Sequence, residues 1–376
     1  MILHLVSDHL VTNTCLKIFR EKLPGQNIIL IFKKFGYKVD GDFIVTDQNS
    51  FQVASQIDFS HVTHVVVSCL TNKKIQFLKK FVPSNIPVIW WMYGIDFYVG
   101  FLTKRGFRVF YSDPDKYRFG GRLLWPFYHL LLRPLSHMYY KNIQKVIEKR
   151  LKGFVPCIRP EYDLLRNYIS NREFDMIQIH PYGASFNFDG KFSDGNDIAI
   201  GHSASISDNH LYALKFLKKL DLVNSDLFLT LSYSNKVPKY TEDVRRKFKK
   251  IYGDKVHLIE TMMPKEEYFE SQFRYKMIII PSWRQEGLDN IYTCLQIGIK
   301  LVLSERSIVF QYLKEYGFLV YAIERMDQNC LDIPMTLEEK KHNQQLFVKF
   351  VEERKRNYYA DFEKYFMSAK TTDNEQ

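Results

Sequence analysis

The sequence predicts an α/β protein with two Rossmann-like domains, each built on a parallel, doubly wound sheet. Short apolar runs alternate with longer amphipathic runs through most of the 376 residues, which is the pattern of successive β-α-β units. The alternation stops in a polar, turn-rich stretch near residues 182–196 and then starts again. We therefore expect two domains of similar size that face each other across a cleft.

In the first half, the apolar runs predict four strands: Ile2–Val6, Asn27–Phe32, His64–Ser68 and Pro87–Trp91. Helical spacing predicts two helices: Asn13–Lys22 and Asn72–Phe81. Residues 122–150 are apolar and basic, and we expect a helical region that prolines interrupt.

In the second half, the predicted strands are Asp175–His180, Ile198–Ile200, Leu227–Ser232, Val256–Leu258, Met277–Pro281 and Leu301–Ser304. The predicted helices are Ser207–Leu220, Glu242–Tyr252, Lys265–Tyr275, Leu288–Gly298 and a charged final helix, Leu337–Lys364. The expected domains are residues 1–185 and 186–336, followed by a helix and polar tail at 337–376 that pack back toward the first domain.

Composition excludes several classes of protein. Hydrophobic residues are 46% and charged residues 25% of the chain, which is globular usage. The five cysteines form no CxxC pair, so neither a zinc ribbon nor a disulfide scaffold is expected, and a reducing cytoplasm fits. The first residues carry no basic segment of a signal peptide, and no run of 18 uncharged apolar residues predicts a membrane span.

Positive charge is concentrated in one segment. The net charge is +11, and residues 104–166, with 14 Lys/Arg and 5 Asp/Glu, carry +9 of it. Within this segment, Arg118–Tyr140 mixes leucines and aromatic residues with arginines, which is typical of a segment lying on anionic lipid. The alternative is a helix packed inside the N-terminal domain. Nucleic acid is a less favoured partner, because a leucine run accompanies the aromatic residues.

Two loops between a strand and a helix predict an anion site. Ile200–His210 contains Gly201, which allows close backbone approach, and several serines before a helix whose free N–H groups attract anions. Trp283–Asn290 contains Arg284, which can pair with phosphate, and Glu286, which can accept from sugar hydroxyls. Two such loops can hold a diphosphate and its sugar. The alternative for each is an ordinary capped turn.

Polar and aromatic residues also follow strands of the first half. Trp90 and Asp96 suit stacking on a sugar and hydrogen bonding to it, although a core position is the alternative for the tryptophan. Asp8 follows the first strand and is a candidate general base. The D-x-D strings at Asp113–Asp115 and Asp40–Asp42 lie in turn-like contexts, so we expect no metal there.

These elements together resemble glycosyltransferase family 56, the 4-acetamido-4,6-dideoxygalactosyltransferases of enterobacterial common antigen. The likeness is spread through most of the chain. The residues that carry it are Ser7, Asp8, Asn13, Trp90, Gly94, Asp96, Tyr98, Gly201, Ser203, Ser207, His210, Ala213, Leu214, Tyr233, Tyr268, Arg284, Gln285, Gly287, Gln296, Gly298 and Ile299.

The resemblance implies a GT-B fold, a metal-independent enzyme without a cofactor, and a dTDP-sugar donor. It also implies an acceptor linked to polyprenyl diphosphate at the cytoplasmic face of the inner membrane. The sequence departs from the family at Glu286, where glutamine is found, and at Asp289–Asn290, which replaces a Gly-Thr pair. These departures concern the identity of the donor sugar and the acceptor.

The expected site residues fall into three groups. The donor-binding group is Gly201, Ser203, His210, Tyr233, Arg284, Glu286, Gly287 and Asn290. The catalytic group is Asp8, with Asp96 as an acceptor-binding group or substitute base, and His9 as a second candidate. The acceptor-binding aromatic residues are Trp90 and Tyr98. Two other functions stay open: a transferase or epimerase with a soluble substrate, and a non-enzymatic anion- or lipid-binding adaptor whose two loops do not converge.

Overall fold

The computed structural model describes residues 1–9, 11–32, 36–40, 43–46, 54–118, 140–170, 173–181, 188, 190–232 and 237–368. These residues form two compact units. In the described parts, the first unit contains residues 1–107, 140–181 and 355–368, and the second contains 108–118 and 188–354. The units are therefore not consecutive in sequence. Residues 108–118 belong to the second unit although residues on both sides of them belong to the first, and the chain returns to the first unit at residue 355.

The first unit is built on a parallel sheet of seven strands. The strands are β1 (Ile2–Ser7), β2 (Asn27–Phe32), β3 (Phe43–Thr46), β4 (His64–Ser68), β5 (Val88–Trp91), β6 (Leu151–Val155) and β7 (Asp175–Met176). Their order is β3-β2-β1-β4-β5-β6-β7, and every pair is parallel. The chain direction across the sheet reverses between β1 and β4. In open α/β sheets this position is where ligands bind.

The helices of the first unit are α1 (Thr12–Lys22), α2 (Asn72–Lys80) and α3 (Arg159–Tyr168), with a π-helical segment at Ile95–Leu102 and helical residues at 140–150. The final helix of the chain also contributes to this core. Phe19 of α1 packs edge-on against Phe362 and Phe366, with ring centroids 5.0 and 4.9 Å apart. Phe362 and Phe366 therefore bury aromatic surface in the first unit, and the hydrophobic effect of this burial stabilises the fold.

The second unit is built on a parallel sheet of six strands. The strands are β8 (Asp197–Ile200), β9 (Leu227–Thr230), β10 (Val256–Ile259), β11 (Tyr275–Ile280), β12 (Lys300–Leu303) and β13 (Tyr321–Ala322). Their order, β10-β9-β8-β11-β12-β13, repeats the arrangement of the first sheet with the reversal between β8 and β11. A short helical segment, Pro114–Arg118, also belongs to this unit. The helices within residues 188–362 are α4 (His210–Leu217), α5 (Pro238–Tyr252), α6 (Lys265–Ser271), α7 (Leu288–Ile297), α8 (Ile308–Tyr316), α9 (Gln328–Asp332) and α10 (Leu337–Phe362).

Some elements differ from the prediction. Strand β6 was not expected, because Lys152 and Gly153 weaken the strand pattern; pairing with β5 and β7 on both sides forms it. The predicted strand Asp175–His180 pairs only at Asp175–Met176. Of the predicted interfacial segment Arg118–Tyr140, residues 119–139 lie outside the described residues. Among the helices that the structure describes, none is long and apolar enough to cross a membrane.

Candidate functional site

Two loops leave neighbouring strands of the second sheet at the point where its direction reverses. Strand β8 ends at Ile200 and its loop leads into α4, and strand β11 ends at Ile280 and its loop leads into α7. Because β8 and β11 are paired in parallel, both loops emerge at the same edge of the sheet. We call the loops 201–209 and 281–287 loop A and loop B.

Asp208 joins the two loops. Its side chain is fully buried. Its Oδ2 accepts hydrogen bonds from the backbone N–H groups of His202 and Ser203, at 2.7 and 2.8 Å. Its Oδ1 accepts one from the Ser282 hydroxyl of loop B, at 3.0 Å, and lies 3.1 Å from Nδ1 of His202. One buried carboxylate therefore fixes loop A internally and ties it to loop B.

The histidines beside Asp208 have different protonation behaviour. Burial alone would raise the pKa of Asp208, but His202, His210 and its hydrogen-bond donors outweigh burial and hold that pKa well below its usual range. Burial also lowers the pKa of His202, but Asp208 and Glu286 have the larger combined effect and raise it above 6.5. Burial dominates at His210 and lowers its pKa, so this imidazole is neutral at pH 7.

A second cluster of polar groups connects the loops next to Asp208. Ser207 of loop A donates to Glu286 Oε1 at 2.9 Å, and Arg284 forms an ion pair with the same oxygen. Glu286 is only 7% exposed. Its other oxygen, Oε2, is buried and has no hydrogen-bond partner among the described residues. A buried carboxylate oxygen without a donor is costly, and a ligand hydroxyl can satisfy it.

Glycine is required at two positions of these loops. Gly201 has φ +77°, and a Cβ there would overlap the imidazole of His210 and lie 2.7 Å from Asp208 Oδ2. Gly287 has φ +65°, and a Cβ there would lie 3.1 Å from Cγ of His202. The second contact brings the start of α7 against a loop A side chain. The convergence of the loops contradicts the expectation attached to a non-enzymatic adaptor, which required them to be apart.

The helices that follow the loops begin without side-chain caps. Asn209 precedes α4 in a left-handed conformation, φ +56°, and Gly287 precedes α7. Neither residue caps its helix through a side chain. The first N–H of α4, that of His210, donates instead to the Tyr240 hydroxyl at 3.0 Å, so the start of α7 is the one at which an anion can meet uncapped N–H groups. Asn290 in the first turn of α7 donates to the Tyr268 hydroxyl at 2.9 Å.

In the first unit, hydrogen bonds of the Ser7 and Asp8 side chains hold the end of β1 and the loop that follows it. Asp8 is 3% exposed, and its Oδ2 accepts from the N–H of Gly36 at 2.6 Å. The preceding Ser7 accepts at 3.0 Å from the ammonium of Lys74, which is itself fully buried. Lys74 also donates to the carbonyl of Cys69 at 3.2 Å. The buried lysine thus connects the loops after β1 and β4, the two strands where this sheet reverses.

Asp96 is buried and accepts hydrogen bonds from groups of the protein itself, which the sequence did not predict. It is 3% exposed, and its Oδ2 accepts from the Leu70 N–H and the Trp90 indole, both at 2.7 Å. Its Oδ1 accepts from the N–H of Tyr93 at 3.0 Å. A carboxylate that accepts three such bonds holds the loops after β4 and β5, and these contacts explain an acidic residue here without a substrate.

The structure corrects the assignment of Trp90 and Tyr98 to acceptor stacking. Both are 0% exposed. Trp90 packs against Phe97 and Phe154, with ring centroids 5.9 and 5.1 Å apart. The Tyr98 hydroxyl donates to Glu161 at 2.8 Å. Neither ring has an exposed face for a sugar. Trp90 lies between the π-helical segment and β6, and Tyr98, which belongs to that segment, packs against Phe107.

The structure brings most of the predicted donor residues together. Gly201, Ser203, His210, Arg284, Glu286 and Gly287 lie in or beside loops A and B, with Asn290 one turn along α7, whereas Tyr233 lies outside the described residues. Sequence reasoning missed the roles of His202, Asp208 and Ser282. The first two lie inside the loop motif that sequence singled out, but only the fold shows that Asp208 is the central group.

Among the described residues, no group of three or more His, Cys, Asp or Glu side chains is placed to hold a metal ion.

No protein-family model and no curated protein matches this sequence, but solved structures do. HepE from Anabaena, solved with UDP and glucose, aligns with TM-score 0.64 at 9% identity over 97% of this chain and 99% of that chain. The UDP-forming trehalose-phosphate synthase of Burkholderia vietnamiensis aligns with TM-score 0.60 at 9% identity, over 96% and 98%. The lipopolysaccharide outer core galactosyltransferase WaaB, in its apo form, aligns with TM-score 0.57 at 7% identity, over 96% and 99%. The fold is therefore α/β, of the GT-B kind with two Rossmann-like units.

The contact between Gly201 and Asp208 can be tested by stability. We expect Gly201→Ala to lower the free energy of unfolding by about 1–3 kcal/mol more than Gly190→Ala does, because the added methyl overlaps buried groups. Gly190 is a matched control in the same unit: its φ is also +77°, and nothing lies within 4 Å of its Cβ position. Urea unfolding of both variants measures the difference. Equal losses would show that backbone strain alone explains the glycine.

Proposed function

We propose that this chain is a glycosyltransferase that uses a nucleotide-diphosphate sugar and binds the donor at loops A and B. The observation that carries the proposal is the convergence of the two loops, tied by Asp208, at the point where the second sheet reverses. The named structural neighbours include sugar-transferring enzymes, and HepE was solved with UDP and glucose. The same edge of the sheet here offers groups that suit both parts of such a donor.

The diphosphate would lie against the starts of α4 and α7. Both helix starts present the positive end of the helix dipole, and at α7 no side chain caps the first N–H groups, so these can donate to an anion. Arg284 is 13% exposed at its side chain and adds a cation beside them. These donors are in place before the reaction, so they can stabilise the negative charge that develops on the leaving diphosphate without a metal ion. Glu286, with its unpaired Oε2, would accept from a hydroxyl of the ribose or sugar.

For the substrates, we infer from the sequence resemblance a dTDP-linked deoxyamino sugar or a related donor. The acceptor would be a saccharide on polyprenyl diphosphate, used in surface polysaccharide synthesis. The protein would then act at the cytoplasmic face of the inner membrane as a peripheral enzyme, with the basic region 104–166 directed to anionic lipid. The chain contributes all the chemistry of this proposal, with no cofactor.

Nucleotide binding tests the proposed donor site. Purified protein should bind thymidine or uridine diphosphate more tightly than guanosine diphosphate, without added Mg²⁺. Arg284→Ala should weaken binding about tenfold or more, since a charge-assisted hydrogen bond contributes about 1.5–3 kcal/mol. Arg274→Ala is the matched control, because Arg274 pairs with Asp197 at the opposite, amino-terminal edge of the same two strands. Titration calorimetry distinguishes them, and no binding of any nucleotide would contradict the proposal.

The charges around the site link donor binding to protonation of His202. The ionisable groups facing His202 are Asp208, Glu286, Arg284 and the neutral His210. With His202 neutral, two carboxylates face one cation, which disfavours an anionic ligand. With His202 protonated, the charges balance. Because the pKa of His202 is raised, the proton is present below that raised value and is lost as pH increases through it.

We therefore expect affinity for a nucleotide sugar to fall several-fold between pH 6 and pH 8.5. A nucleotide sugar is the appropriate ligand, because its diphosphate diester does not titrate in this range. In His202→Gln the affinity should be lower at pH 6 and nearly independent of pH. Fluorescence or calorimetric titrations at each pH measure this. A wild-type affinity that is constant with pH would contradict the role of His202.

The general base is proposed to be Asp8. Asp8 follows β1, which is where the first sheet reverses and where open α/β sheets bind ligands. A general base contributes about 10²–10⁴-fold to rate. Asp8→Asn should lower kcat by about 10²-fold or more with donor affinity nearly unchanged. Asp96→Asn should mainly lower stability, because Asp96 accepts three structural hydrogen bonds. Steady-state kinetics and urea unfolding of both variants test this. A near-normal kcat for Asp8→Asn would contradict the role of Asp8 and leave His9 as the candidate base.

A further inference from the structure

The second unit contains a pocket that is separate from loops A and B. It has a volume of about 330 Å³ and lies between residues 111–117 and the outer faces of α4 and α5. The residues that line it are Tyr111, Ser112, Asp113, Lys116, Tyr117, Leu211, Leu214, Lys215, Lys218 and Lys247. None of these residues is among the predicted donor or catalytic residues, so the pocket is distinct from the predicted donor and catalytic sites.

The pocket wall is strongly basic. Four of its lining residues are lysines and one, Asp113, is acidic. Lys247 differs from the other three, because it forms an ion pair with Asp243 at 2.8 Å, a carboxylate that it shares with Arg246. Lys116, Lys215 and Lys218 are exposed residues of the lining, and the Lys215 ammonium also lies 5.1 Å from the ring centroid of Phe216. Three cations around one concave site produce a field that favours an anion.

The floor of the pocket is apolar and neutral. Leu211, Leu214 and Tyr117 line the pocket and belong to the hydrophobic core of the second unit, where each is less than a tenth exposed. Burial raises the pKa of Tyr117 to about 12, so its hydroxyl keeps its proton. An apolar floor below a cationic rim fits an amphiphile with a phosphate head better than it fits a free inorganic anion.

The pocket is formed before any ligand binds, because its wall is attached at both ends. Asn209 accepts from the Tyr111 N–H at 2.8 Å and donates to the Val109 carbonyl at 3.1 Å. At the other end, the Tyr117 hydroxyl donates to Asp243 at 2.8 Å. The segment 109–117 is therefore held against α4 and α5. A preformed site loses less conformational entropy on binding.

The sequence that continues from this wall indicates what binds. Residues 118–140 combine leucines, Trp125 and tyrosines with arginines, a composition typical of segments that lie in a membrane interface. The apolar and basic stretch thus starts at the residue after Tyr117. The pocket and the stretch are continuous in the chain, and both suit an acidic lipid.

We propose that the pocket formed by Lys116, Lys215 and Lys218 binds the phosphate head group of an acidic phospholipid. This inference rests on the membrane docking proposed above, but not on the transfer of a sugar. It assigns lipid recognition to α4 of the nucleotide-binding unit, in addition to the basic segment. Membrane charge would then be sensed on the same helix whose start faces the donor.

The test is vesicle co-sedimentation of the full chain at physiological salt. The pocket variant combines Lys116→Gln, Lys215→Gln and Lys218→Gln and leaves Lys247 paired. The control combines Lys219→Gln, Lys249→Gln and Lys250→Gln, which removes the same charge from exposed lysines outside the pocket. Vesicles of phosphatidylcholine alone are compared with vesicles containing phosphatidylglycerol. Nucleotide binding, expected to be unchanged in both variants, verifies that each is folded.

We expect wild-type protein to bind only the phosphatidylglycerol vesicles, and the pocket variant to lose at least tenfold more affinity than the control. Equal losses in both variants would overturn the inference and leave non-specific charge attraction. Absence of wild-type binding to acidic vesicles would overturn the inference together with membrane docking, while intact nucleotide binding would leave the donor site unaffected. Stabilisation by inorganic phosphate that needs the three lysines, without vesicle binding, would assign the pocket to a free phosphate and overturn the lipid assignment.

Discussion

The second unit depends on the burial of one carboxylate. Asp208 has no exposure, and a charge in that position is stable only when it is surrounded by donors. The backbone of loop A, the Ser282 hydroxyl and His202 supply those donors, so loops A and B have to adopt the conformations that provide them. The left-handed Gly201 follows from this arrangement, because a side chain there would occupy the space of His210 and Asp208.

In the first unit, different buried charged groups hold the loops at the point where the sheet reverses. Where its sheet reverses, the buried Lys74 joins the loops after β1 and β4, and Asp96 holds the loops after β4 and β5. The loop after β4 also contains Cys69 at φ +56°, a conformation that non-glycine residues seldom adopt. The two sheets thus share one strand order, but a buried carboxylate organises one reversal point and a buried ammonium the other. Asp208 in the second unit, and Lys74 and Asp96 in the first, therefore shape the loops around them.

Charge at the surface is distributed differently from charge in the interior. The basic segment 104–166 is not a feature of one unit, because residues 108–118 belong to the second. The lysine pocket therefore combines that segment with lysines of α4 and α5, which are distant in sequence. Since α4 begins at loop A, the proposed donor site and the proposed lipid pocket both involve this short helix. This arrangement places the proposed donor and lipid contacts within one unit.

Sequence by itself determined the class of fold and singled out loops A and B, for which donor binding is proposed. The strand-helix alternation and the glycines before α4 and α7 are local patterns, set by chain geometry, and can be recognised without tertiary contacts. Tertiary structure alone decided which residues are functional candidates and which are structural. Trp90, Tyr98 and Asp96 are predicted at the acceptor, but all three are buried. Trp90 packs on the π-helical segment, whereas Asp96 and Tyr98 belong to that segment and bond to Trp90 and Glu161. Asp208 and the lysine pocket could not be inferred, because burial and charge clustering depend on residues that lie tens of positions apart in the chain and meet only when the sheet and its helices have packed.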